Sequence, residues 1–435
     1  LSRSPTRATG IVFSLFVAGV LGGAWAGSAA AQRAHDPYAP LDTLVRVLSL
    51  IETTYVDEIE TDRLVAAAID GMLQELDPHS TWMSPWDYRD LQRDTHGSYT
   101  GIGVELRSEP DGARIVKVLP GGPAALEGLQ VGDLILAVDG LQLHSGPPDE
   151  ALIGPRGTTA VLDVLRPGWE APRKVQTLRD VIHAPTVEAG WIVPGIAYVR
   201  LIQFREGAAT ELEAAFTRLQ EEAPLEALIV DVRDNPGGLL REAVSVADLF
   251  LDEGTIVSTW GRLEKERTSH EATVGGLPDR LPIALLVNGR SASASEILAG
   301  ALQDTGRATL FGTRTYGKGS VQTVFEHRDG SALKLTIGRY YTPSGEPVAP
   351  KDGREPDVVV EWPTAASPIQ GLREAIDRAE LSDAARAELL AAIADMPREL
   401  VVQLQEIPWD RPLAERAQID PQLAAALRHL QPGQP

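Results

Sequence analysis

Between residues 186 and 362 short apolar runs alternate with helix-like segments, and that alternation admits few folds. Ile196–Phe204 alternates as a strand does, Glu211–Glu222 has helical character, and Ala227–Val232 is an apolar run broken only by Asp231. Ala243–Leu251 is again helical, Ile283–Val287 is a second buried-type run, and Ser293–Asp304 is a further helix. Strands separated by helices in this order predict a sheet flanked by helices. Ligand sites in such folds gather at the carboxyl ends of strands. The loops after Val232 and Val287 are therefore the first places to look for chemistry.

The flanking regions differ in character. Residues 41–95 read as helical: Leu41, Leu44, Val45, Leu48, Ile51 and Tyr55 share one helical face. Thr61 or Asp62 is positioned to cap a second helix, which Asp77-Pro78-His79-Ser80 breaks, with His79 read as a turn residue. Residues 97–180 are β-rich, with apolar runs Gly101–Leu106, Ala113–Leu119, Leu134–Val138 and Ala160–Leu165 between glycine turns. Residues 366–435 are rich in Ala, Leu, Glu and Arg and predict two or three amphipathic helices. The division expected is 1–32, 33–96, 97–183, 184–365 and 366–435.

The first of these segments bears on location. Arg3 and Arg7 precede the apolar run Ile11–Ala26, and Ala29 and Ala31 form an A-x-A arrangement before Gln32. This is a secretory signal pattern, and an uncleaved anchor helix is its alternative. Either reading predicts export to the periplasm or another extracytoplasmic space, and the segment allows membrane association. At 435 residues the chain has room for several domains, and its net charge of −21 argues against nucleic acid as a partner. Cysteine is absent, which excludes disulfides, thiolate metal sites and a cysteine nucleophile.

Two stretches carry candidate chemistry: Asn288–Glu296 (NGRSASASE) and Tyr316–Gln322 (YGKGSVQ). Ser293 falls at a helix start, where free N–H groups and the helix dipole stabilise negative charge. Ser293-x-x-Glu296 is equally a capping box, and the fragment alone does not choose between the two. Lys318 is one of six lysines and sits in a Gly-Lys-Gly turn. A lysine acts as general base only when neutral, and apolar surroundings lower its pKa. Strand alternation turns Lys318, Ser320 and Gln322 the same way, so that Gln322 could hold the amine. Gly312-x4-Gly317-Lys318 is not a phosphate loop, because Gly319 stands where Ser or Thr is needed and a strand follows. In Asn235-Pro236-Gly237-Gly238 the paired glycines could donate an N–H to an oxyanion, or simply turn the chain.

The ordered set Tyr99-Thr100-Gly101-Ile102-Gly103-Val104, Pro123-Ala124-Ala125, Gly128-Leu129, Gly132-Asp133 and Val138-Asp139-Gly140 resembles a PDZ domain. That resemblance implies a peptide's terminal carboxylate held by the loop Tyr99–Val104, with the peptide added to a strand edge. The run Ser291–Asp304 followed by Gly312-x4-Gly317-Lys318-Gly319-Ser320-Val321-Gln322 resembles the carboxy-terminal processing, or tail-specific, proteases. Asp231–Gly238, Tyr340–Gly345 and Leu76–Ser84 match that family as well. The resemblance implies an α/β multidomain protein: a helical N-terminal region, a PDZ domain, a protease core and a helical tail. It implies Ser293 as nucleophile, Lys318 as general base, Gln322 as its partner, and an oxyanion hole from Ala294 with one of Gly237 or Gly238. No cofactor and no metal are called for. The partners implied are proteins with accessible C-termini, with room for an adaptor protein and a homo-oligomer.

Two departures stand out. Ile153 occupies a position where many relatives carry arginine, with Arg156 nearby, and Glu127 replaces a small residue. A catalytically silent PDZ scaffold is the alternative reading, although both Ser293 and Lys318 are present. A Ser-His hydrolase is a second rival, but none of the eight histidines, among them His183, His270 and His327, lies in a catalytic-looking motif.

Overall fold

A computed structural model describes residues 38–143, 151–183, 185–277, 280–349, 352–362, 386, 409 and 411–431. The signal-like segment and most of residues 366–408 lie outside these. Among the described residues no helix is long and apolar enough to cross a membrane. The chain divides into two units, Leu1–Trp82 and Met83–Pro435.

The first unit contains helices α1 (Ala39–Thr54) and α2 (Thr61–Gln74). Helix α2 begins one residue earlier than a Thr61 cap would require. Its N-cap is Glu60, and the Thr61 hydroxyl instead donates to the Glu52 carboxylate. Beyond the helix, Asp77 Oδ1 accepts from the N–H groups of His79 and Ser80, which makes the expected turn. Leu41, Leu44, Val45 and Tyr55 are exposed, so the apolar face read from the sequence is not covered by the described residues of this unit. A short strand, β1 (Thr81–Met83), follows.

The second unit opens with α3 (Pro85–His96). Ser84 and Asp87 close a capping box at its start, and Gly97 ends it in the left-handed region. Strand β2 (Ser98–Gly101) pairs antiparallel with β9 (Asp180–His183). Between them β3 (Val104–Glu109), β4 (Gly112–Val118), β5 (Leu134–Val138), β7 (Thr159–Leu165) and β8 (Arg173–Leu178) form an antiparallel sheet in that order. The short β6 (Leu141–Gln142) pairs with β5, and α4 (Pro123–Leu126) lies between β4 and β5. Ile102, Ile115, Ile135, Leu152 and Leu162 fill its core.

The largest sheet runs β10-β11-β12-β15-β16-β19. Its strands are β10 (Val187–Val193), β11 (Ile196–Leu201), β12 (Ala227–Asp231), β15 (Ile283–Val287), β16 (Thr309–Gly312) and β19 (Val358–Val359). All neighbours are parallel except β10 and β11. Helices α5 (Ala208–Glu222), α6 (Leu240–Asp248) and α7 (Ala294–Asp304) connect the strands. Strand alternation sorts the apolar residues onto two faces. Val199, Leu201, Val230 and Leu285 pack with Leu212, Val246 and Leu298 of these helices. Tyr198, Ile229, Ala284 and Leu286 pack instead with Leu423 and Ala426. Those last two belong to α9 (Pro421–Leu430), which follows α8 (Leu413–Ile419). Helices thus cover both faces, which is why β11, β12 and β15 are buried throughout and mostly apolar, with Arg200 in β11 and Asp231 at the end of β12 as the exceptions.

Strand β11 ends at Leu201, and Phe204 makes only an isolated bridge to Gly238. A further antiparallel sheet holds β13 (Thr255–Gly261), β14 (Thr268–Glu271), β17 (Ser320–Glu326) and β18 (Ala332–Tyr341).

Candidate active site

Three serines compete in the loop from β15 to α7, and the structure separates them. Ser291 is fully buried and its hydroxyl donates to the Val232 carbonyl at 2.8 Å. Ser295 is equally buried and donates to the Asn235 carbonyl at 2.9 Å. Both hydroxyls therefore stitch this loop to the one after β12. Ser293 alone lines an open cavity of about 470 Å³. It is the N-cap of α7 at φ 55°, ψ −111°, a conformation that costs about 1–3 kcal/mol for a residue with a Cβ. Strain held at that point turns the side chain out of the helix line and toward the cavity.

Glu296, fully buried in the first turn of α7, holds the two halves of the site together. Its Oε2 accepts from the N–H of Ser293 at 2.9 Å and of Lys318 at 2.8 Å. Its Oε1 accepts from the N–H of Gly317 at 2.8 Å and from Thr315 Oγ1 at 2.6 Å. The capping reading of Glu296 thus accounts for one of four bonds. The other three fix the lysine turn against the serine turn, and no local pattern could announce them.

The loop after β12 is equally constrained. Asp234 has φ 60°, and its Oδ1 accepts from Asn288 Nδ2 at 2.7 Å and Arg290 Nε at 2.8 Å. Those bonds are strong enough to hold its carboxylate below the usual range although the group is half-buried. A Cβ on Gly237 would lie 2.9 Å from Ser293 Cβ, and one on Gly238 would lie 2.2 Å from the Phe204 carbonyl oxygen. The N–H of Gly237 is occupied, donating to Asn235 Oδ1 at 2.9 Å. Among the described residues the N–H groups of Gly238 and Ala294 donate to nothing.

Lys318 precedes β17 and lines the same cavity as Ser293, with Ser320, Gln322 and Lys334. The alternation expected along β17 is therefore met, even though a bulge shifts its register at Val321 and Gln322. Burial pushes the Lys318 ammonium below the usual lysine range, the charge of Lys334 adds to this, and Glu296 opposes it. Burial lowers Lys334 as well and pushes the Tyr340 hydroxyl up to about 12. Among the described residues no hydrogen bond joins Lys318 Nζ to Ser293 Oγ. His96 at the end of α3 also borders the cavity, a neighbour that sequence reading did not single out. Its Nδ1 lies 2.6 Å from the Gln92 carbonyl and its Nε2 3.9 Å from Glu206. Among the described residues no group of three or more His, Asp or Glu is arranged to hold a metal ion.

A second cavity, of about 420 Å³, lies along β3. Among the described residues that strand pairs only with β4 in its sheet, which leaves its other edge open there. Ile102, Val104, Leu106, Val116, Leu152 and Ile153 give the groove an apolar lining. Tyr99 and Gly103 also line it, and the N–H groups of Ile102 and Gly103 donate to nothing among the described residues. Thr100 and Gly101 instead pair with Val181 and Asp180 of β9. Arg156 turns away to Asp180, whereas Arg205 borders the groove. Arg205 directly follows Phe204, whose N–H donates to the Gly237 carbonyl and whose carbonyl accepts from Leu239. The groove and the serine cavity therefore share one short segment.

Residues 195–360 match Peptidase family S41, residues 114–166 match a PDZ domain, and residues 25–85 match the N-terminal domain of the activating protease CtpB. The carboxy-terminal-processing protease of Bartonella bacilliformis is 40% identical over 359 residues, covering 80% of this chain and 82% of that protein. The carboxyl-terminal-processing protease of a Synechocystis species is 40% identical over 308 residues, 68% and 71% of the two chains. Among solved structures, the photosystem II D1 C-terminal processing protease is 29% identical and covers 73% of this chain and 92% of its own, with a TM-score of 0.44. A peptidase core of the S41 type carrying a PDZ domain is the class these matches define. Within it, the chain belongs to the carboxy-terminal-processing proteases.

Proposed function

We propose that this protein is an exported serine endopeptidase that binds protein C-termini through its PDZ groove and cleaves through an acyl-enzyme. One observation carries the reading: of three neighbouring serines, only Ser293 opens into the cavity that also holds a half-buried lysine. In the proposed cycle Ser293 Oγ attacks the scissile carbonyl carbon while its proton passes to neutral Lys318 Nζ. The oxyanion is received by the N–H groups of Ala294 and Gly238, the two left without acceptors; Gly237 is set aside because its N–H is already engaged. The lysine ammonium then protonates the leaving amine, and the acyl-enzyme remains. Neutral Lys318 next deprotonates a water, which attacks the ester carbon; the bond from that carbon to Ser293 Oγ breaks, the product acid leaves, and the ammonium returns its proton to Ser293 Oγ. Gln322, on the same wall of the cavity, orients the amine.

The apolar lining of the PDZ groove favours apolar tails, and the shared Phe204–Arg205 segment offers a route from groove to oxyanion loop. A docked tail would shift the population toward an arrangement in which Lys318 meets Ser293, provided it binds that form more tightly.

The test is turnover of an unstructured protein followed by mass spectrometry. Ser293→Ala should lose roughly a thousandfold or more in rate, with the fold intact. His96→Gln should keep near-normal rates. Undiminished cleavage by Ser293→Ala would remove the nucleophile assignment, and loss in His96→Gln alone would favour the Ser-His alternative. An intact protein that binds tails without cleaving any substrate would be the silent scaffold.

A further inference from the structure

The loop that carries Gly237 and Gly238 is gripped from below by residues far along the chain. Arg233, fully buried, sits four residues before Gly237. Its Nη2 lies 2.6 Å from Asp231 Oδ2 and 2.7 Å from Asp420 Oδ2, and its Nη1 donates to Asp420 Oδ1 and Gln422 Oε1 at 3.0 Å each. Asp420 is also the N-cap of α9, accepting from the N–H groups of Gln422 and Leu423. The adjoining Asp234 receives a second bond from the same region: Trp409 Nε1 donates to its Oδ2 at 3.1 Å. The Trp409 ring lies under the Arg200 guanidinium, 3.4 Å from the ring centre, with Arg233 and Arg416 each at 5.5 Å. All these partners in the tail lie outside the stretch that matches the S41 family.

We propose that Trp409 and Asp420 are positioning residues for catalysis: through Asp234 and Arg233 they set the oxyanion loop against the Ser293 turn. Two consecutive residues of that loop are each held by a tail side chain. Asp234 passes the constraint on, because its other oxygen receives Asn288 and Arg290 of the serine loop. The tail is thus a working part of the site. The proposal rests on the oxyanion role given above to Gly238, and the experiment separates the two.

Trp409→Phe keeps the ring on Arg200 and deletes the one N–H to Asp234. Asp420→Asn keeps a side chain that caps a helix well but removes the charge facing Arg233. In Trp409→Phe, kcat should fall by about tenfold or more, since small displacements of catalytic groups cost that much, while KM stays within about twofold. Asp420→Asn should show the same split; if it does not fold, Trp409→Phe decides. Hydrogen exchange on the full chain supplies a readout free of turnover. In Trp409→Phe the peptide spanning residues 233–240 should exchange faster, with the peptide across β15 unchanged. Faster exchange there with no Ser293-dependent turnover in the parent protein would uphold the clamp and remove the catalytic reading. Unchanged kcat, a change in KM alone, or faster exchange confined to residues 409–431 would overturn the clamp.

Discussion

Lys318 and Lys334 face one cavity, and burial disfavours the charge on each. A base that works as a neutral amine gains from this arrangement, because at a given pH more of it is ready. The rate should therefore rise with pH as Lys318 loses its proton, with an acid limb below the range of an ordinary lysine. Lys334→Met removes the neighbouring positive charge, so the acid limb should move to higher pH while the alkaline plateau is kept. An acid limb that stays in place would show that Lys334 does not act on the base. Ser293 and Lys318 were legible as candidates because each lies in a short motif with its own chemistry, and both line one cavity. Glu296 was legible only as a cap. Its bonds to Thr315, Gly317 and Lys318 close across 19 to 22 residues of sequence, a separation that periodicity cannot report.

At the level of elements, the strands of the main sheet were readable because helices bury both faces, leaving short, mostly apolar runs. The loop after β12 was readable only in part. Its glycines suggested an oxyanion donor, but which one depends on Asn235, whose side chain takes the N–H of Gly237. Gly238, at φ 146° with no room for a Cβ against Phe204, can be no other residue there. Gly238→Ala should push β11's extension away from the loop and lower kcat by about a hundredfold, measurable on the same unstructured substrate. The spacing over Leu41–Tyr55 predicts one apolar face, and four of its six residues are exposed. Amphipathic spacing reports that a face is apolar and leaves open what covers it.

For the whole molecule, the open edge of β3 and the groove beside it make the surface proposed to receive protein tails. A peptide with a free carboxylate should bind there with modest affinity, because a short tail buries little surface. Amidation of its terminus should weaken binding sharply and should also abolish any stimulation of turnover. Equal binding of acid and amide, measured by calorimetry, would mean that Ile102 and Gly103 do not read the terminus. The arginine absent at Ile153 has no substitute in Arg156, which is exposed and paired with Asp180. Arg205, which borders the groove, was invisible as a candidate because it comes from the peptidase core and not from the PDZ sequence.

The bond between Arg233 and Asp420 spans 187 positions of the chain. Synthesis proceeds from the amino terminus, and domains fold as they emerge. Serine, lysine and both glycines are therefore made well before Asp420, the second of the two carboxylates that pair with Arg233. Until α9 docks, the Arg233 guanidinium has only one of its two carboxylates, and the loop it anchors lacks its support. On the proposed clamp, the site is complete only once Asp420, far downstream of Ser293 and Lys318, has been made and seated on Arg233.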